Sequence, residues 1–191
     1  MIQVFENFLS SSELSEFKKQ AKQFSGKFSC FHTQNVVEYI DGAKSRQHIL
    51  HKNHVPDIFN KIINASSVDY EYIEWWKNTS NKGIHKHADN DAGHANLTGL
   101  IEFPMNTYVY YTDIKIQSGG QLTLYKQDSE EILKVIQPKQ NDLIVFDSDI
   151  NHSVAKFIGT RESYVINPWE NRPVQFCEFS WKGELTGPLS I

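Results

Sequence analysis

His87-Ala88-Asp89 sits in the polar run GIHKHADND (Gly83–Asp91), and His152 lies far downstream in LIVFDSDINHSVAKFIGTRESYVINPW (Leu143–Trp169). Two imidazoles and a carboxylate are N and O donors. Gathered on one face they make the 2-His-1-carboxylate set that holds non-haem Fe(II) and leaves positions open for other ligands. Arg161 follows His152 by nine residues. Its guanidinium is a rigid fork suited to a carboxylate. A metal at one end of a groove and a guanidinium at the other would anchor the two ends of a dicarboxylic acid. His48, His51, His54, His85 and His94 read as ordinary solvated imidazoles.

These groups need strands to position them. The spacing predicts a β-hairpin, led in by Leu143–Phe146, rising through His152–Ile158 and returning through Arg161–Ile166. Gly159-Thr160 suits its two-residue turn. Arg161 then pairs with Ile158, and His152 falls opposite Asn167. Alternation of faces puts His152, Ile158, Arg161 and Ser163 on one side. His152 and Ile158 would lie roughly 20 Å apart at strand rise, and an Arg side chain reaching back leaves about 14 Å or less. Strict alternation would also turn Lys156 inward, unless a bulge interrupts the strand.

Helices come first along the chain. After the short strand-like Met1–Phe8, Ser10-Ser11-Ser12-Glu13 has capping-box form. Leu14, Phe17, Ala21 and Phe24 then recur at helical spacing, giving a helix over 11–24 that Gly26 ends. Phe28–Ile40 reads as a strand pair or ordered loop, and Asp41-Gly42 as a turn. Val55-Pro56-Asp57 opens a second helix. From Tyr70 the pattern becomes short strands: 70–76, 84–89, 108–113, 120–125, 131–136, 142–146 and the hairpin, about eight in all. Asp91–Asn106 follows no single pattern. Helices followed by many short strands predict one α+β domain over 1–191, built on a β-sandwich or jelly roll. It divides into a helical part (1–68), a strand-rich core (69–170) and a tail (171–191).

Composition is that of a soluble globular chain: 191 residues, 39% hydrophobic, 22% charged and 13% aromatic. A net charge of −4 argues against binding driven by nucleic acid or anionic membrane. Cys30 and Cys177 are the only cysteines; far apart and without metal spacing, they read as free thiols. The first residues lack a signal peptide's basic and apolar regions, and no apolar run could span a membrane. A cytoplasmic protein is the expectation.

From about Tyr70 to Trp169 the sequence resembles the 2-oxoglutarate and Fe(II)-dependent oxygenases, in their prolyl 4-hydroxylase-like branch. The matching pieces are His87-x-Asp89, Tyr110-Tyr111, Gly119-Gly120-Gln121-Leu122, Pro138 with Asp142–Phe146, His152, Arg161 and Trp169. The resemblance implies a double-stranded β-helix, a cupin-like jelly roll, with the N-terminal helices packed on one sheet. It implies Fe(II) on His87, Asp89 and His152, 2-oxoglutarate as co-substrate with its far carboxylate on Arg161, and O₂. Tyr111 and Ser163 are candidate partners of that carboxylate, and Leu122 and Val165 candidate apolar walls.

The implied reaction is hydroxylation of a peptidyl (foremost prolyl) or small-molecule substrate, with release of succinate and CO₂ and ascorbate as a candidate reductant. Competing readings are a cupin-like metalloprotein that does not use 2-oxoglutarate, and a non-catalytic binding module. Trp75 and Trp76 read as core aromatics, one of them a candidate pocket wall. Asp147 and Asp149 either orient His152 or only end a strand. Specificity is expected in the loops Asn90–Asn106 and Cys30–His54.

Overall fold

Two long strands carry the architecture, β5 (Thr107–Gly119) and β10 (Phe157–Trp169), paired antiparallel. The computed structural model describes residues 1–24, 48–79, 81–127 and 129–174. The expected stop at Gly26, the segment Phe28–Ile40, the turn at Asp41-Gly42 and both cysteines lie outside the described residues. Besides β5 and β10 there are β1 (Ile2–Phe5), β2 (His48–His51), β3 (Tyr72–Asn78), β4 (Ile84–His87), β6 (Leu122–Tyr125), β7 (Ile132–Ile136), β8 (Leu143–Phe146) and β9 (His152–Val154). The larger sheet has the order β1-β8-β5-β10-β3-β2, and the smaller β4-β9-β6-β7.

Residue parity on the larger sheet sorts the core into two halves. Tyr108, Tyr110, Tyr164, Ile166, Ile73 and Trp75 face one way, onto the helices α1 (Ser11–Phe24) and α2 (Asp57–Ile63). Phe17 of α1 is their hub, with ring centroids 4.8 Å from Phe59 and 5.0 Å from both Tyr110 and Tyr164. Val109, Tyr111, Ile144 and Phe146 face the other way, onto Leu122, Leu124 and Val154 of the smaller sheet. The fold is therefore a two-sheet roll with helices on one outer face.

The capping box forms as its sequence predicts. Ser10 N–H donates to Glu13 Oε2 at 2.9 Å, and Glu13 N–H donates to Ser10 Oγ at 3.3 Å. Hydrogen bonds from Lys61, then from Ser10, lower the Glu13 carboxyl from 4.5 to about 2. A depressed carboxylate stabilises the fold fully above its unfolded value and loses that contribution as pH falls through its folded value. Glu13→Gln should therefore lower the urea midpoint at pH 6 and leave it nearly unchanged near pH 2. Urea titrations at the two pH values check this.

The predicted hairpin does not form. β9 ends at Val154 in the smaller sheet, the chain crosses at Ala155-Lys156, and β10 runs unbroken through Gly159-Thr160 in the larger sheet. Gly159 has φ +121° and marks a bulge opposite β5, where a Cβ would stand 2.0 Å from the Lys115 carbonyl oxygen. The glycine is there for close backbone approach, not for a reversal. Arg161 consequently pairs with Ile114 rather than Ile158, His152 pairs with His87 rather than lying opposite Asn167, Ile158 is 62% exposed, and Lys156 points to solvent. Gly119 is likewise a point of close backbone approach: a Cβ there would stand 1.9 Å from the Lys156 carbonyl oxygen.

Two further elements escaped the sequence pattern. Residues 48–51, expected in a loop, pair with β3 as the outermost strand. Within Asn90–Asn106 lies α3 (Ala92–Thr98), capped by Asp91, which accepts from His94 N–H at 2.8 Å, and closed by Gly99 at φ +76°.

Candidate metal and diacid site

β4 and β9 are neighbours, and their register sets His87 beside His152. Asp89 lies just past the end of β4. One donor atom from each of the three residues falls within 4.8 Å of the others. His87 Nε2 is 3.4 Å and His152 Nε2 is 4.0 Å from Asp89 Oδ1. Each ring's other nitrogen meets a backbone carbonyl: His87 Nδ1 that of His85 at 2.8 Å, His152 Nδ1 that of Ile150 at 3.2 Å. Such contacts fix the tautomer and aim Nε2 at the cluster. His85 thus contributes its carbonyl, and neither Asp147 nor Asp149 holds the His152 ring.

The electrostatics suit a cation. Burial by itself would raise the Asp89 carboxyl, but His87, His152 and Asn167 outweigh it and the group lies below the usual carboxylate range. Burial holds His152 below the ordinary imidazole value, so it stays neutral with a free lone pair. The hydrogen bond with Asp89 raises His87. Asp89 Oδ2, the oxygen turned away from the imidazoles, accepts from Thr107 Oγ1 and from Asn167 Nδ2, both at 3.3 Å.

Along the same face of β10 lies Arg161, 3% exposed. Its Nη1 donates to Ser163 Oγ at 3.1 Å and its Nη2 to Tyr111 Oη at 3.2 Å. The second bulge, between Glu162 and Ser163, brings Tyr111 directly opposite Ser163. The guanidinium carbon lies 5.0 Å from the Tyr111 ring centroid. Burial raises the Tyr111 phenol despite Arg161, so the hydroxyl keeps a proton to donate. Among the described residues no carboxylate pairs with Arg161, and its Nε has no hydrogen-bond partner. A buried cation without an anion is costly, and two neutral hydroxyls do not neutralise it.

The model of the 2OG-Fe(II) oxygenase superfamily matches residues 73–171, just over half the chain. The chain belongs to the 2OG-Fe(II) oxygenase superfamily. It is an Fe(II)- and 2-oxoglutarate-dependent dioxygenase, and the competing cupin-like and non-catalytic readings give way to that membership. Among solved structures it is similar to a Trichoplax adhaerens prolyl hydroxylase in complex with a hypoxia inducible factor oxygen degradation domain peptide fragment. That match has 16% identity and TM-score 0.55, and covers 88% of this chain and 83% of that one. A Pseudomonas putida prolyl-4-hydroxylase is similar at 14% identity and TM-score 0.53, over 90% of this chain and 93% of that one. At such identities the likeness establishes the fold, a double-stranded β-helix. No curated protein matches the chain.

The residues present fit what the superfamily requires. A two-imidazole, one-carboxylate donor set converges on one point, and a buried guanidinium without a carboxylate partner among the described residues has the chemistry to take an anionic carboxylate. Tyr111 and Ser163, both candidates from sequence, both touch Arg161. Leu122 packs in the same apolar cluster as Tyr111, and Val165 shares its face in register with Trp76. Trp75 lies in the helix-side core. Sequence reasoning missed Thr107 and Asn167. The one signal for Asn167 was its parity with Arg161 and Ser163 on a strand otherwise apolar at that end.

Proposed function

We propose that this oxygenase hydroxylates a peptidyl substrate, prolyl residues being the first class to test, with release of succinate and CO₂. The buried guanidinium of Arg161, without a carboxylate partner among the described residues and on the face of β10 from which Asn167 reaches Asp89, is the observation that carries the 2-oxoglutarate part of this reading. His87 Nε2, Asp89 Oδ1 and His152 Nε2 are the ligands we assign to Fe(II). Arg161, Tyr111 and Ser163 are assigned to the far carboxylate of 2-oxoglutarate, the cation by charge and the hydroxyls by hydrogen bonds. Bound Fe(II) with 2-oxoglutarate and O₂ supplies the oxidising chemistry.

The chain's part is placement. The two backbone carbonyls fix the imidazoles, and Asp89 stays ionised because its neighbours outweigh its burial. Val109, Tyr111 and Leu122 are buried in one apolar cluster beside Arg161, and charge contacts are stronger in such surroundings than in water. A peptide substrate is favoured because both prolyl hydroxylases above share the fold and one is bound to a peptide fragment. A cupin-like enzyme that does not use 2-oxoglutarate would have no use for a buried guanidinium.

The test is succinate release by iron-loaded protein with 2-oxoglutarate and ascorbate, with and without proline-containing peptides. Peptide-stimulated succinate release and one added oxygen in the peptide are expected. Slow uncoupled succinate release that no peptide stimulates would overturn the peptide assignment. No succinate under any condition would overturn the co-substrate assignment as well.

A further inference from the structure

We infer that Thr107 and Asn167 clamp Asp89 as a one-oxygen ligand and thereby reserve a metal position for the keto acid end of 2-oxoglutarate. The inference rests on the ligand set proposed above. A carboxylate beside a cation has two equivalent oxygens and can offer one or both. Asp89 is not left that choice. Oδ1 faces both imidazole Nε2 atoms, at 3.4 and 4.0 Å. Oδ2 takes both donors, Thr107 Oγ1 and Asn167 Nδ2, each at 3.3 Å.

The clamp is built from buried positions. Thr107 and Asn167 are fully buried, and Asp89 is 7% exposed. Thr107 opens β5 and Asn167 lies near the end of β10, one step past the ladder pair of Ile166 with Tyr108. The central strand pair of the fold therefore aligns the two donors. The Asn167 amide is oriented toward the carboxylate even though its Oδ1 then lacks a partner among the described residues. An ionised carboxylate only accepts hydrogen bonds, so Nδ2 must be the atom facing it.

The consequence is a matter of counting places. Each protein oxygen added to the metal removes a place that the keto acid or O₂ must take. Thr107 and Asn167 are positioning residues; they act through Asp89 and touch neither co-substrate nor reacting atoms. Without them Asp89 is free to turn its second oxygen to the metal and compete with the co-substrate.

The test uses Mn(II) as the probe metal, so that no turnover is needed. Mn(II) is titrated calorimetrically into metal-free wild type, Thr107→Val, Thr107→Ser and Thr107→Val/Asn167→Leu, and 2-oxoglutarate is then titrated into each Mn(II)-loaded protein. The double variant should lose about tenfold more in 2-oxoglutarate affinity than in Mn(II) affinity, because the second Asp89 oxygen, once free to reach the metal, offsets part of the loss that an outer-shell change otherwise causes in metal affinity. Thr107→Ser keeps the hydroxyl and should bind both like wild type.

Two results would overturn the inference: unchanged affinities in the double variant, or an equal fall in both, which would mean simple ligand orientation. Should the double variant not fold, the structure of Mn(II)-bound Thr107→Val decides, two Asp89 oxygens on the metal supporting the clamp and one refuting it. Wild-type protein that binds no Mn(II) would overturn the ligand set itself, and the clamp with it.

Discussion

Arg161→Met should all but abolish 2-oxoglutarate binding while leaving the metal-free protein at least as stable as wild type. The two effects come from the same observation. The wild-type guanidinium is buried against two hydroxyls with no carboxylate partner among the described residues. Replacing a buried charge with an apolar side chain of similar length removes a desolvation cost. Removing one partner of a buried, hydrogen-bonded charge pair in a complex costs about 2–5 kcal/mol. The low end is about thirtyfold in affinity, at about 1.4 kcal/mol per tenfold.

Thermal unfolding of Mn(II)-loaded protein reads both effects. 2-Oxoglutarate should raise the wild-type midpoint, by about 2.7 kcal/mol of stabilisation at a hundred times Kd, and should not raise that of Arg161→Met. Arg161→Lys should recover part of the effect, because an ammonium carries the charge without the fork. A metal-free Arg161→Met protein much less stable than wild type would mean that the guanidinium is structural.

Asp89→Asn should remove the metal. The substitution keeps the shape of the side chain but discards the anionic oxygen that faces both imidazoles. It also turns an acceptor-only group into one with its own N–H donors, facing Thr107 and Asn167 across hydrogen bonds that they now donate. Outer-shell changes cost about 10–100-fold in metal affinity, and loss of a charged ligand should exceed that. Calorimetric titration with Mn(II) gives the affinity, and succinate release by the variant should fall to background. A variant that binds Mn(II) like wild type would remove Asp89 from the ligand set.

The chemistry of this chain was more legible than its path. His87, Asp89, His152 and Arg161 announce themselves because few other jobs need those side chains at those spacings. The route between His152 and Arg161 was misread for a physical reason. A glycine before a threonine suits a hairpin turn and a bulge equally well, since both use backbone conformations that a Cβ resists. Only the neighbouring strand decides between them, and β5 with its Lys115 carbonyl is far away in sequence. His152 and Arg161 stand on two different sheets.

The sequence was least informative where the role belongs to neutral polar residues. Thr107 and Asn167 are ordinary strand residues by type, and their work appears only when Asp89 is brought against them. The helix α3 was obscured because its short span offers little periodicity, although Asp91 and Gly99 were its start and stop signals. The parity sorting of Tyr108, Tyr110 and Tyr164 from Val109 and Tyr111 was implicit in the strand pattern. Which parity faced the site depended on the bulges.

A crystal structure with Mn(II) and an inert 2-oxoglutarate analogue tests the central claim most directly. The account predicts one metal bound by His87 Nε2, Asp89 Oδ1 and His152 Nε2, and the far carboxylate of the analogue on the Arg161 guanidinium within reach of the Tyr111 and Ser163 hydroxyls. A metal bound elsewhere, or an analogue whose far carboxylate lies away from Arg161, would contradict it.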